Sequence, residues 1–153
     1  MGEKQRIRGL LKVVYKGPAW HGPSLLENLQ DVTAEMAAKH PIAGSHSIWE
    51  IVAHVSAWEA EAARVLGGEP YVTLEGEDDW PPVKDTSTEA WTASLVALEA
   101  GHQVLRTAMK EFPEEDLDKL VPGRDFPWFV LLHGMVHHSL YHSGQIGLLK
   151  KCA

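Results

Sequence analysis

The strongest constraint on the fold is the regular spacing of helix-start signals along the chain. In a capping box, a side-chain hydroxyl and a carboxylate three residues later exchange hydrogen bonds with backbone N–H groups at a helix start. Three segments have this pattern, namely Ser24–Glu27, Ser47–Glu50 and Thr86–Glu89. Asp125, just before Phe126-Pro127, predicts a fourth start with proline in the first turn, where its missing N–H costs little.

Helix-stop signals complete the pattern, and they occur at His40-Pro41, Gly67-Gly68 and Phe112-Pro113. Starts and stops together predict four helices, near residues 24–39, 47–66, 86–112 and 126–150, and a shorter one near 3–16 that ends at Gly17-Pro18. No stretch shows convincing strand alternation between hairpin turns. The prediction is therefore all-α: a four-helix bundle with an extra short N-terminal helix, forming a single domain over residues 1–153.

The last predicted helix has apolar residues on two faces. One face is a stripe with three-four spacing, as expected for the buried side of an amphipathic helix: Trp128, Leu131, Met135, His138, His142, Gln145 and Leu149. The back of the same helix has Val130, Leu140 and Leu148. A four-helix bundle has no central helix that could bury both faces, so the sequence predicts a homodimer.

His138 and His142 are the residues on this stripe that most strongly indicate chemistry. Residues four apart on a helix project side by side, which allows two imidazoles to bind one metal ion. Burying two neutral imidazoles is costly unless their nitrogens are satisfied, and a divalent cation satisfies them. His133 and His137 have the same spacing, but at about 100° per residue they fall roughly opposite the stripe. The sequence therefore predicts a metal site at His138 and His142 rather than two core histidines bonded to carbonyls or water.

A third ligand is expected from another helix, and spacing alone leaves two candidates. His54 lies in the middle of the helix predicted at 47–66, at the edge of its apolar stripe. His102 lies directly on the stripe of the helix predicted at 86–112. Three histidines with open coordination positions are typical of a catalytic site rather than a closed structural one. The remaining histidines, His21, His40 and His46, fall in loops or at helix ends.

Composition limits the class of partner. The 14 basic and 21 acidic residues give a formal charge of −7 without a basic cluster, which argues against a nucleic-acid surface. The one cysteine, Cys152, cannot form an intrachain disulfide. With no signal peptide and no apolar run near 18 residues, we expect no membrane partner and a cytoplasmic location. The long connection from Gly67 to Asp85, between the second and third bundle helices, is expected to be a crossover, a lid or both.

Two motifs resemble those of the DinB/YfiT-like superfamily. One is His46-Ser-Ile-Trp-Glu-Ile-Val-Ala-His54, and the other is His138-Ser-Leu-Tyr-His142-Ser-Gly-Gln145-Ile. The resemblance extends over most of the chain and implies His54, rather than His102, as the third ligand beside His138 and His142. It also implies a four-helix bundle that is often dimeric, one divalent metal ion per chain, nickel or zinc, and the activity of a metal-dependent hydrolase or a transferase of low-molecular-weight thiols.

Such a site could activate water or a low-molecular-weight thiol against a small electrophilic substrate. Candidate catalytic residues are Glu50, one turn before His54; Gln145, one turn beyond His142; and His102, as a proton relay. Each also has a structural interpretation, as a capping glutamate, an interior amide and a core histidine respectively. The alternative function is a non-catalytic, stress-related protein that binds a metal or small ligand at the same site. An enzyme is expected to have a cavity at the open coordination positions, whereas a binding protein is expected to have a filled or occluded site.

Overall fold

The chain is helical apart from its connections. A computed structural model describes residues 2–153, and within that range it contains six α-helices and a short 3-10 turn at Glu114–Asp116 but no β-strand. The helices, in chain order, are α1 (Glu3–Lys16), α2 (Leu25–Leu29), α3 (Ala34–Ala38), α4 (Ile48–Leu66), α5 (Thr88–Glu111) and α6 (Trp128–Cys152). The predicted all-α fold class is confirmed.

The four long helices are α1, α4, α5 and α6. Helix α4 contacts both α5 and α6, and α1 contacts the same two helices from the other side of the core. Three apolar residues with three-four spacing, Ile7, Leu11 and Val14, bury one face of α1. The helix predicted near residues 3–16 is therefore confirmed, and it packs as part of the main helical body rather than as an extra element.

The single helix predicted over residues 24–39 is wrong, because this segment forms the two short helices α2 and α3. Asp31 between them has a left-handed backbone (φ 63°), which ends a right-handed helix and which aspartate tolerates better than most residues. Thr33 then begins α3 by accepting a hydrogen bond from the N–H of Met36. Helix α2 packs against α1 and α6, whereas α3 packs against α4 and α5.

The predicted helix starts are confirmed at two of four places. Complete capping boxes form at Ser24 for α2 and at Ser47 for α4. The box predicted at Thr86 is wrong by one residue, because Ser87 is the cap of α5 and accepts from the N–H of Ala90. The start predicted at Asp125 is also displaced, since α6 begins at Trp128 with Pro127 in the cap position and without a side-chain cap.

Buried polar residues divide the apolar core into two clusters. One cluster joins the C-terminal halves of α4 and α5 to α1 and to the N-terminal half of α6, and the other joins the opposite halves of α4, α5 and α6 to α2 and α3. Between the residues of the two clusters, α4, α5 and α6 have the buried polar groups Glu59, His102, Ser139 and His142, and Tyr15 of α1 stacks on His102. Because buried polar groups need partners, this polar layer is where the interior is expected to do chemistry or to hold ligands.

Candidate metal centre

Three histidines converge at the interface of α4 and α6. His138 and His142 come from consecutive turns of α6, and His54 comes from the middle of α4. One ring nitrogen of each histidine lies within 4.8 Å of a ring nitrogen of the other two. Among the described residues, no further histidine, cysteine, aspartate or glutamate belongs to this group. His54 and His142 are buried, and His138 is half-buried. The group has the residue types and the proximity that a divalent metal site needs.

The structure separates these three residues from the other histidines of α6. His133 lies on the side of α6 that faces α1, with Nε2 3.3 Å from Oε1 of Glu3. His137 is exposed. His138 and His142 instead face His54, with centroid separations of 4.9 and 4.7 Å from its ring. The helical spacing therefore distinguishes the pair that meets α4 from the pair that does not.

Asp79, in the connection between α4 and α5, fixes the ring of His54. Nδ1 of His54 lies 2.7 Å from the backbone oxygen of Asp79 and 3.1 Å from its Oδ1. Since both oxygens only accept, Nδ1 carries a proton and Nε2 presents its lone pair. The indole N–H of Trp58 donates to Oδ1 of Asp79 at 2.7 Å and holds the carboxylate in place. A carboxylate behind a ligating histidine is a common arrangement in metal sites.

Gln145 performs the same task for His142. Its Oε1 lies 2.6 Å from Nδ1 of His142, and an amide oxygen only accepts, so Nε2 of His142 is also left with a free lone pair. Nε2 of His54 lies 2.9 Å from Nε2 of His138. Two imidazole nitrogens at this distance need a proton or a cation between them, because otherwise two lone pairs would face each other. The residues present therefore fit a metal ion bound through Nε2 atoms.

The electrostatics of the site favour neutral rings. Burial, together with the neighbouring His142 and His54, lowers the pKa of His138 to about 3. Burial also lowers the pKa of His142 to about 4, against the opposing effect of its hydrogen bond to Gln145. Both rings are neutral at pH 7, which is the form that binds a metal ion.

Trp80 covers one side of the group. Its ring stacks on His54 with centroids 3.9 Å apart and on His46 with centroids 3.5 Å apart, so it lies between the two imidazoles. Together Asp79 and Trp80 bring the connection after α4 into contact with the site. One cavity of about 280 Å³ is lined by His138, and another of about 300 Å³ is lined by Gln145 and His46 but by none of the three histidines.

Glu50 and His102, predicted as candidate catalytic residues, have partners elsewhere. Glu50 accepts from the N–H of Ser47 at 2.8 Å, and its Oε2 also lies 3.0 Å from His40 and 3.4 Å from His46, contacts that lower its pKa despite partial burial. His102 lies outside the three-histidine group, in the buried polar layer. Of the three candidates, Gln145 is the one that contacts a histidine of the site.

His102 forms a buried pair with Glu59 that sequence reasoning missed. Its Nδ1 lies 2.9 Å from Oε1 of Glu59, and its ring stacks on Tyr15 with centroids 3.5 Å apart. Both side chains of the pair are at most 1% exposed. Burial raises the pKa of Glu59, and the hydrogen bond with His102 partly opposes that rise. Oε2 of Glu59 and Nε2 of His102 have no hydrogen-bond partner in the described part of the chain.

The chain matches the model of a known protein family over most of its length. The family model described as DinB superfamily matches residues 20–146, which include the helices and the loop that supply the three histidines and Asp79. The chain belongs to the DinB superfamily. A search of curated proteins and a search of solved structures found no significant match.

As a DinB-superfamily protein, the chain has the two motifs at the place where the three histidines converge. The structure brings together His54, His138 and His142, the ligands that the family resemblance implies, and does not bring His102 to them. None of the helices in residues 2–153 has the length and apolar character needed to cross a bilayer.

Proposed function

We propose that this DinB-superfamily protein is a metal-dependent enzyme that activates water or a low-molecular-weight thiol against a small electrophilic substrate. One divalent ion per chain, nickel or zinc, would be bound by His54, His138 and His142. The observation that supports this most is that separate residues, Asp79 and Gln145, hold two of the three rings with Nε2 free. Three protein ligands leave coordination positions for a water, a thiol or a substrate atom.

A divalent cation at this site would supply Lewis acidity, which lowers the pKa of a bound water or thiol and polarises a substrate bond. The residues of the chain would do the remaining work. Asp79 and Gln145 orient the imidazoles, and the stacked ring of Trp80 excludes water from one side. The cavity beside His138 leaves room for a small reactant next to the histidines. Storage of a metal, in contrast, favours saturated coordination.

The test is a comparison of turnover with and without metal and with and without thiol. A panel of esters, epoxides and activated halides is assayed with metal-loaded wild-type protein and with His54→Ala. We expect metal-dependent turnover of at least one class, with kcat/KM lower by about 100-fold or more in His54→Ala because a ligand is lost. Dependence on thiol distinguishes a transferase from a hydrolase.

The control for that assay is His137→Ala, which removes an exposed imidazole next to the site and should leave turnover unchanged. Absence of metal-dependent turnover across the whole panel, in a protein shown to bind the metal, would contradict the enzyme proposal and favour the non-catalytic binding protein.

A homodimer formed partly by the back of α6 is a second proposal. Val130, Leu140 and Leu148 are 48%, 36% and 62% exposed, so the chain alone leaves apolar area in water. We expect a dimer in sedimentation at micromolar concentration, and we expect Leu140→Glu with Leu148→Glu to shift it to monomer. Val96→Glu, at an exposed position of α5, is the control. Sedimentation of the wild-type chain as a monomer would refute this proposal.

A further inference from the structure

The cavity beside His138 has a mainly apolar lining. It has a volume of about 280 Å³, is partly open to solvent, and is lined by side chains of α4, α6 and the segment before α6, namely Trp58, Phe126, Val130, Leu131 and Met135. Gly134 completes the wall, and His138 is its one titratable residue. The indole N–H of Trp58 is already bonded to Asp79, so this ring offers the cavity mainly its apolar surface.

We propose that this cavity binds the uncharged apolar part of the substrate, a single aromatic ring or a compact branched alkyl group. The inference rests on the proposed function, because it assigns the cavity to the substrate of the three-histidine site. Its basis is that His138 belongs both to the cavity wall and to the three-histidine group. A group seated among Trp58, Leu131 and Met135 therefore lies directly beside the site where the reaction would take place.

Size and charge define the ligand class. Small-molecule sites commonly have volumes of about 300–1,000 Å³, so this cavity is at the lower limit and suits one ring rather than two. No lysine, arginine, aspartate or glutamate lines it. A charged group placed there would lose its hydration without gaining an ion pair, which is strongly unfavourable. The electrophiles selected by this cavity are therefore neutral and apolar next to the reacting atom.

The cavity beside Gln145 has a more polar lining than the cavity beside His138. At about 300 Å³ it is similar in size, but Ser45, His46 and Gln145 add polar groups to its wall. A ligand with hydrogen-bonding groups is better accommodated in that cavity, and an apolar one beside His138.

Methionine methyl groups provide a direct test with benzyl alcohol as the probe. Met135 lines the cavity, whereas Met36 and Met109 do not, so a protein labelled with ¹³C at methionine methyls contains its own controls. We expect benzyl alcohol to shift the Met135 signal saturably, with a Kd of about 1 mM, and to leave the Met36 and Met109 signals in place. Benzoate, which has a similar ring but a charge, should shift Met135 at least tenfold more weakly.

Two glycines of α6 provide a matched pair of variants. A Cβ added at either Gly134 or Gly144 meets no atom within 4 Å, so both positions adjoin open space. Gly134→Leu places its side chain at the cavity, whereas Gly144→Leu lies outside the residues that line it. We expect Gly134→Leu to weaken benzyl alcohol binding by about tenfold or more and Gly144→Leu to leave it unchanged.

Metal content of each protein, measured separately, distinguishes the two proposals. If benzyl alcohol does not shift the Met135 signal of a metal-loaded protein, this inference is wrong, whereas the proposal of a metal site still stands. Binding of benzyl alcohol that Gly134→Leu does not weaken would overturn it as well. If Gly134→Leu abolishes a wild-type dimer, the cavity is a subunit contact and the inference fails.

Discussion

Purified His138→Ala and His142→Ala proteins are expected to contain less than about a tenth of the nickel or zinc bound by the wild-type chain. Each substitution removes one of three nitrogen ligands, and the two remaining imidazoles cannot replace it because no other histidine, cysteine or carboxylate joins the group in the described residues. Metal is measured by elemental analysis after reconstitution and dialysis. Undiminished metal in both variants would show that the ion binds elsewhere.

Two further variants extend the measurement of metal binding: Asp79→Asn, which should weaken it in part, and His137→Ala, which is the control. Asp79→Asn weakens the acceptor behind His54 without removing a ligand, so we expect metal affinity to fall by about 10- to 100-fold rather than to be lost. His137→Ala removes an exposed imidazole from the same helix and should bind metal as the wild-type protein does. Equal losses in His137→Ala and His138→Ala would indicate unspecific binding by surface histidines.

Glu59→Ala is expected to lower the free energy of unfolding by about 3 kcal/mol. The substitution leaves Nδ1 of His102 buried without its partner, because Glu59 and His102 are both almost completely enclosed. It also opens space beside the stacked rings of Tyr15 and His102. Denaturant unfolding followed by circular dichroism measures the change. The control is Glu111→Ala, whose side chain is 73% exposed at the end of α5 and should change stability by less than about 0.5 kcal/mol.

A double substitution distinguishes the effect of an unsatisfied polar group on stability from the effect of lost side-chain volume. In Glu59→Leu with His102→Leu both polar groups disappear, so no buried donor or acceptor of this pair is left unsatisfied, and most of the lost stability should return. If Glu59→Ala is no less stable than Glu111→Ala, the pair does not contribute to the stability of the core. Full metal content in Glu59→Ala is also expected, since Glu59 is not part of the three-histidine group.

Local signals explain which helices could be predicted. Ser24 and Ser47 were recognisable as caps because a capping box depends on only four consecutive residues, and both boxes form. The division of 24–39 depends on Asp31 adopting a left-handed backbone, which neither a start nor a stop signal marks. The three-four spacing of Ile7, Leu11 and Val14 does indicate that α1 is buried, so its place in the helical body could have been inferred.

Helix geometry also limited what could be said of the site. His138 and His142 were predictable as a pair because positions four apart face the same way whatever the tertiary fold. His54 and His102 both lie on buried faces, and spacing along one helix does not tell which of them faces α6. Asp79 and Trp80 lie in an irregular segment whose path has no periodicity, so their contacts with His54 could not be predicted. Glu59 was detectable, since it continues the spacing of the buried Val55 and Ala62.

The contacts of Asp79 and Trp80 divide the site between two parts of the chain that differ in how much they contribute to the buried core. The ligands project from α4 and α6, where most changes also disturb packing, whereas the partners of His54 lie on a connection that contributes little to the apolar core. Replacement of residues in this connection can therefore alter the basicity of one ligand and the access of solvent to it while the helices stay unchanged. The metal chemistry of such a scaffold can diversify by loop variation alone, which makes this connection the natural target for redesign.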